Sequence, residues 1–128
     1  MSSPLLYICI AAFFGMTSVM LGAFGAHGLK GKLSDTLLST FETGVQYQMY
    51  HSLAILLIAV LLIQLKLPVL AWAAGFMSLG VVLFSGSLYG LALLQMSWLG
   101  PVTPIGGLCM IIGWGILLVS VIRHGVAG

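Results

Sequence analysis

Residues 41–52 read FETGVQYQMYHS and gather a glutamate, two glutamines, two tyrosines and a histidine into one short stretch of a chain that is only 5% charged. On a helix, Glu42, Gln46 and Tyr50 fall every four residues and form one stripe. Thr43, Tyr47 and His51 form the adjacent stripe, and Phe41, Val45, Met49 and Leu53 lie on the other side, interrupted by Gln48 and Ser52. A carboxylate close to an imidazole can exchange protons or hold a polar or cationic solute, and an ionisable side chain at membrane depth marks a site to be examined. A second imidazole, His27 in the motif GAHG, lies upstream. The expected binding set is therefore His27, Glu42, Gln46, Tyr47, Tyr50 and His51, with Glu42, Gln46, Tyr50 and His51 turned inward to line one vestibule with His27. Each residue also has a plainer role. Ser39 to Glu42 fits a capping box, the tyrosines fit interfacial anchors, and His51 fits a carbonyl-bonded residue within a bundle.

Other chemistries find less support. There is no H-E-x-x-H, no Ser-His-Asp set and no paired carboxylates, so no catalytic residue is assigned. Cys9 and Cys109 stand alone in apolar runs, without metal-ligand spacing, and read as small apolar filler or as a pair bridging two helices. No metal or cofactor is expected. A net charge of +2 is too small for a nucleic-acid-binding face.

The elements that must position the polar stretch are membrane helices. The chain is 61% hydrophobic with a mean hydropathy of +1.22, and a soluble domain would carry about 25% charged residues. Spanning requires about 20 mainly apolar residues, and four runs qualify, at approximately 4–26, 45–65, 69–94 and 104–122. The small residues of GAFGA leave a cleaved signal peptide as the alternative for the first run, which lacks a basic leader. An all-α integral membrane bundle of four spans in one domain follows, with both termini on one face. Lys30 and Lys32 on one side balance Lys66 and Arg123 on the other, so the positive-inside rule does not orient it. Between the first two spans, Leu33, Leu37, Leu38 and Phe41 share one helical arc and predict a short amphipathic interfacial helix running into the second span.

In lipid, helices associate by close packing and hydrogen bonds, so small residues mark contact faces. Ser18, Gly22, Gly86, Gly90, Gly106 and Gly107 are the expected packing positions, with Gly86 and Gly90 facing another helix at close range or forming a dimer seam. Thr103 is expected as an N-cap, followed by Pro104 as the first helical residue.

The motifs GAFGAHGL, F-x-T-G-V-x-Y-Q-x-Y-H-S, LFSGSLY, GPVTPIGG and the Gly113-Trp114 pair occur in that order. Together they resemble the YgdD/YwdK family of small multi-pass membrane proteins, a domain of unknown function. The resemblance implies a four-span inner-membrane protein and brings no activity, ligand or catalytic residue with it. The functional expectations are therefore two. One is binding or passage of a small polar ligand, a proton, or a lipid or quinone headgroup at the polar stretch. The other is a non-catalytic structural or assembly role, with membrane lipid, further copies of the chain or a larger membrane complex as partners.

Overall fold

Ser34 accepts the Leu37 N–H on its hydroxyl at 3.2 Å, and Asp35 follows in the first turn. A capped start with an acidic first turn satisfies orphan N–H groups and complements the helix dipole. The longest helix opens there, which overturns the capping box expected at Ser39: Glu42 lies inside the helix, beyond its first turn. In the computed structural model, which describes residues 2–127, the helices are α1 (Ser3–His27), α2 (Asp35–Leu65), α3 (Leu70–Leu94) and α4 (Val102–Ala127), with a 3₁₀ turn at Ser97–Leu99. All four helices are long and apolar enough to span a membrane. The amphipathic segment 33–41 forms no element of its own; from Asp35 onward it is the opening of α2.

The connections are short. Lys66 ends α2 in the left-handed conformation (φ 53°), donating its N–H to Leu62 O at 3.2 Å, and Pro68 follows. Gln95 ends α3 in the same way (φ 51°). Among the described residues Gly31 (φ 84°) is the one left-handed glycine, between α1 and α2, where a side chain would be strained. Thr103 is not a cap: it lies within the first turn of α4 and shares a 2.6 Å hydrogen bond with Ser87 on α3.

The helices follow a serpentine order. Each packs on its neighbour in sequence, α1 touches α3 only marginally, and among the described residues α1 and α4 do not pack together. The half nearer the 66–69 turn has a close-packed apolar core, in which Ile55 and Ile58 of α2 meet Leu70, Ala73 and Met77 of α3. A smaller cluster at the other end centres on Phe41, whose ring lies 5.2 Å from Tyr89 and 6.4 Å from Phe24.

Small residues set the helix contacts, though not at all the expected positions. A β-carbon at Gly106 would fall on the backbone of α3, 2.8 Å from both the carbonyl carbon of Leu83 and Cα of Phe84. Gly113 meets Met77, and Gly80 meets Met110, equally closely. This seam is where α3 and α4 approach. Gly107 makes ordinary contact with the Phe84 ring. Gly86 faces open space and Gly90 faces the side chain of Leu99 in the 3₁₀ turn, so neither meets a neighbouring helix. The i, i+4 spacing is common to inward and outward faces, and here the outward one carries Gly86. On α1, Ser18 donates to Val45 O at 3.0 Å, and Gly22 lies in ordinary contact with Val45. Cys9 and Cys109 are both free.

A candidate functional site in the polar layer of the bundle

Gln48, which the sequence placed as an interruption on an apolar face, is the hub of the interior. It is 5% exposed. Its Nε2 donates to Phe14 O at 2.9 Å and to Thr17 Oγ1 at 2.7 Å, and its Oε1 accepts from the Tyr89 hydroxyl at 2.6 Å. One side chain of α2 thereby ties α1 to α3. Ser85 of α3 donates to Gly44 O at 2.7 Å, where the absence of a side chain on Gly44 lets Tyr89 lie against α2. Ser52 closes on its own helix, donating to Met49 O at 2.8 Å.

His51, 6% exposed, carries the layer to the fourth helix. Its Nδ1 is 2.9 Å from Tyr47 O, one turn back, and its Nε2 is 3.1 Å from Nε1 of Trp114. A carbonyl only accepts and an indole N–H only donates, so Nδ1 carries the proton and Nε2 accepts. Tyr47 stacks on the imidazole at 6.1 Å and lies 4.8 Å from the Phe84 ring. Both ring nitrogens are thus occupied within the protein. Among the described residues, no fully buried side-chain nitrogen or oxygen lacks a hydrogen-bond partner.

The expected vestibule does not form. His51 turns to Trp114 on α4, while His27 is exposed at the end of α1. Glu42, Gln46 and Tyr50 face outward, Tyr50 being 57% exposed, and Tyr47 is partly exposed at 39%. The reason is the bundle's geometry: the face of α2 that meets α1 and α3 is that of Phe41, Gly44, Gln48, Ser52 and Ile55, which places the denser polar stripe outside. Glu42 is near the end of the helix, where a long carboxylate side chain reaches the interface. Glu42 and Gln46 do meet α1 across a pocket of about 230 Å³ that Gly22, Gly25 and Ala26 line on the α1 side. Sequence reading missed Gln48 with its partner Tyr89, and Trp114 as the partner of His51. The available signal was that Gln48 and Ser52 broke an otherwise apolar face, which in a bundle marks the buried side. No group of three or more His, Cys, Asp or Glu side chains among the described residues could hold a metal ion.

Residues 21–107 match the family model described as "Protein of unknown function (DUF423)". The chain is 51% identical to a UPF0382 membrane protein of Staphylococcus haemolyticus, over 92% of this chain and 96% of that one. It is 47% identical to a UPF0382 membrane protein of Staphylococcus aureus (strain bovine RF122 / ET3-1), with the same coverage. Identity to the UPF0382 membrane protein YwdK of Bacillus subtilis is 44%, covering 92% of this chain and 97% of YwdK. No solved structure matches. With a family model spanning positions 21–107 and relatives aligned over nearly their whole length, the chain belongs to the DUF423/UPF0382 family of membrane proteins, as its resemblance to YwdK implied.

Proposed function

We propose that the protein is a non-catalytic helical scaffold of the cell's inner membrane. It would engage a membrane partner, a second copy or another protein, through the outward stripe Glu42, Gln46 and Tyr50 of α2. One observation carries this reading: Gln48 and His51 make their hydrogen bonds inside the bundle, whereas Glu42, Gln46 and Tyr50 present theirs to the outside. A polar group left in hydrocarbon costs several kcal/mol, so Gln46, about 6 Å further along the helix than Glu42 at 1.5 Å per residue, gains by meeting a partner. Single cysteines at position 46, and at outward-facing Leu57 as a control, in a Cys9→Ala/Cys109→Ala background test it. Oxidation in native membranes should trap an adduct through position 46 and not through 57. No adduct of any size at 46, or equal trapping at 57, would overturn the reading.

A second reading rests on the pocket beside Glu42 and Gln46, whose rim carboxylate suits the ammonium of a lipid headgroup. Phosphatidylethanolamine that raises the melting midpoint of the wild type, but not of Glu42→Gln, would favour it.

A further inference from the structure

The two acidic side chains of the chain, Asp35 and Glu42, both lie on the first turns of α2. The opposite end of the bundle carries Lys66 after α2, and Arg123 and His124 near the end of α4. No aspartate or glutamate shares that end, so its cations have no side-chain anion to face. Arg123 and His124 also crown a groove of about 710 Å³ that runs down α4 along Ile112, Ile116, Val119 and Ser120. Gly115 widens the groove, since a β-carbon there would meet nothing within 4 Å, and Leu67 and Val69 of the 66–69 turn form the opposite wall.

The dimensions match one leaflet. From Ile112 to Arg123 the helix rises about 16 Å at 1.5 Å per residue, roughly half of a hydrocarbon core about 30 Å thick. The volume falls within the ~300–1,000 Å³ of ordinary ligand clefts. An apolar trough one leaflet deep, with a guanidinium and an imidazole at its mouth, has the layout of an amphiphile: acyl chain below, phosphate above. Guanidinium pairs with phosphate through two parallel N–H donors, and basic pockets on membrane helices take anionic headgroups.

We propose that this groove binds a phospholipid of net negative charge, its phosphate on Arg123 and His124 and an acyl chain along Ile112, Ile116 and Val119. The site lies at the opposite end of the bundle from Glu42 and does not depend on the scaffold reading. The test is thermal unfolding of the full chain in detergent, titrated with phosphatidylglycerol, phosphatidylcholine or inorganic phosphate. Phosphatidylglycerol should raise the melting midpoint at a concentration at least tenfold below phosphatidylcholine, and inorganic phosphate should not. Arg123→Gln/His124→Gln should raise the half-maximal concentration of phosphatidylglycerol about tenfold. Gly115→Leu, which obstructs the trough and leaves the charges in place, should do the same without lowering the melting midpoint in lipid-free detergent. Lys30→Gln/Lys32→Gln, at the other end, should change nothing. Equal action of the two lipids, stabilisation by phosphate alone, an effect of the Lys30/Lys32 changes as large as that of Arg123/His124, or an unaltered titration in Gly115→Leu would each overturn the site.

Discussion

Trp114 donates its indole N–H to Nε2 of His51 at 3.1 Å, and so links α4 to α2, helices whose backbones scarcely meet. Interhelical hydrogen bonds in membranes contribute about 0.6 kcal/mol on average and up to roughly 1.7. Trp114→Phe removes the donor and keeps an aromatic ring. The expected outcome is a lower melting midpoint in detergent, with a coupling of about 1 kcal/mol between Trp114→Phe and His51→Leu in a double-mutant cycle. Effects that simply add, to within about 0.3–0.5 kcal/mol, would show that the bond contributes nothing.

Gln48 supports a sharper expectation, because three bonds converge on it. Gln48→Leu should destabilise by about 1–3 kcal/mol, since it also removes the acceptor that the Tyr89 hydroxyl meets at 2.6 Å. Adding Tyr89→Phe should then recover part of the loss. A double variant less stable than Gln48→Leu alone, measured by the same unfolding assay, would contradict the network.

At the glycine positions the expected effects diverge. Gly106→Ala sets a methyl group against the α3 backbone and should cost about 1–3 kcal/mol or more as overpacking. Gly86→Ala and Gly115→Ala have open space around the new carbon and should stay within about 0.5 kcal/mol of the parent. Comparable losses at all three would mean that the α3–α4 seam is misplaced.

Four spanning helices put both ends of the chain on one face. Reporters fused to the N-terminus and to the C-terminus should therefore be active in the same compartment, and a cysteine at Lys30 should be labelled from the other. Opposite compartments for the two ends would exclude the four-span arrangement.

Much of the architecture was legible because lipid imposes a simple rule: runs of about 20 apolar residues become spans. The facing of α2 was not. Its polar stripe of Glu42, Gln46 and Tyr50 looked like an inward site under the reasoning that lipid excludes polar groups. In the fold, the inward face carries Gln48, which bonds α1 and α3, Gly44, whose carbonyl takes Ser85 of α3, and His51, which reaches Trp114 of α4. A helical wheel reports which residues share a side and is silent on which side meets a neighbour. The same limit explains Gly86, whose spacing to Gly90 resembles a packing motif although it faces open space. Thr103 read as a cap from the Pro104 that follows it, but Gly100 and Pro101 had already turned the chain, and α4 starts at Val102.

The serpentine order of the helices bears on how the protein is made. Since each helix packs on the one synthesised just before it, every newly inserted span finds its partner already in the bilayer. Thr17 of α1 bonds a carbonyl of its own helix, whereas the Ser18 hydroxyl finds its partner, Val45 O, when α2 arrives. The second brings Gln48 to a helix that is already present, and the third delivers Tyr89 to complete it. Trp114 arrives last, on the final span, and fastens the finished bundle through His51. Each interhelical side-chain bond is thus closed by the later helix of its pair, and the longest separation in sequence is that of His51 from Trp114.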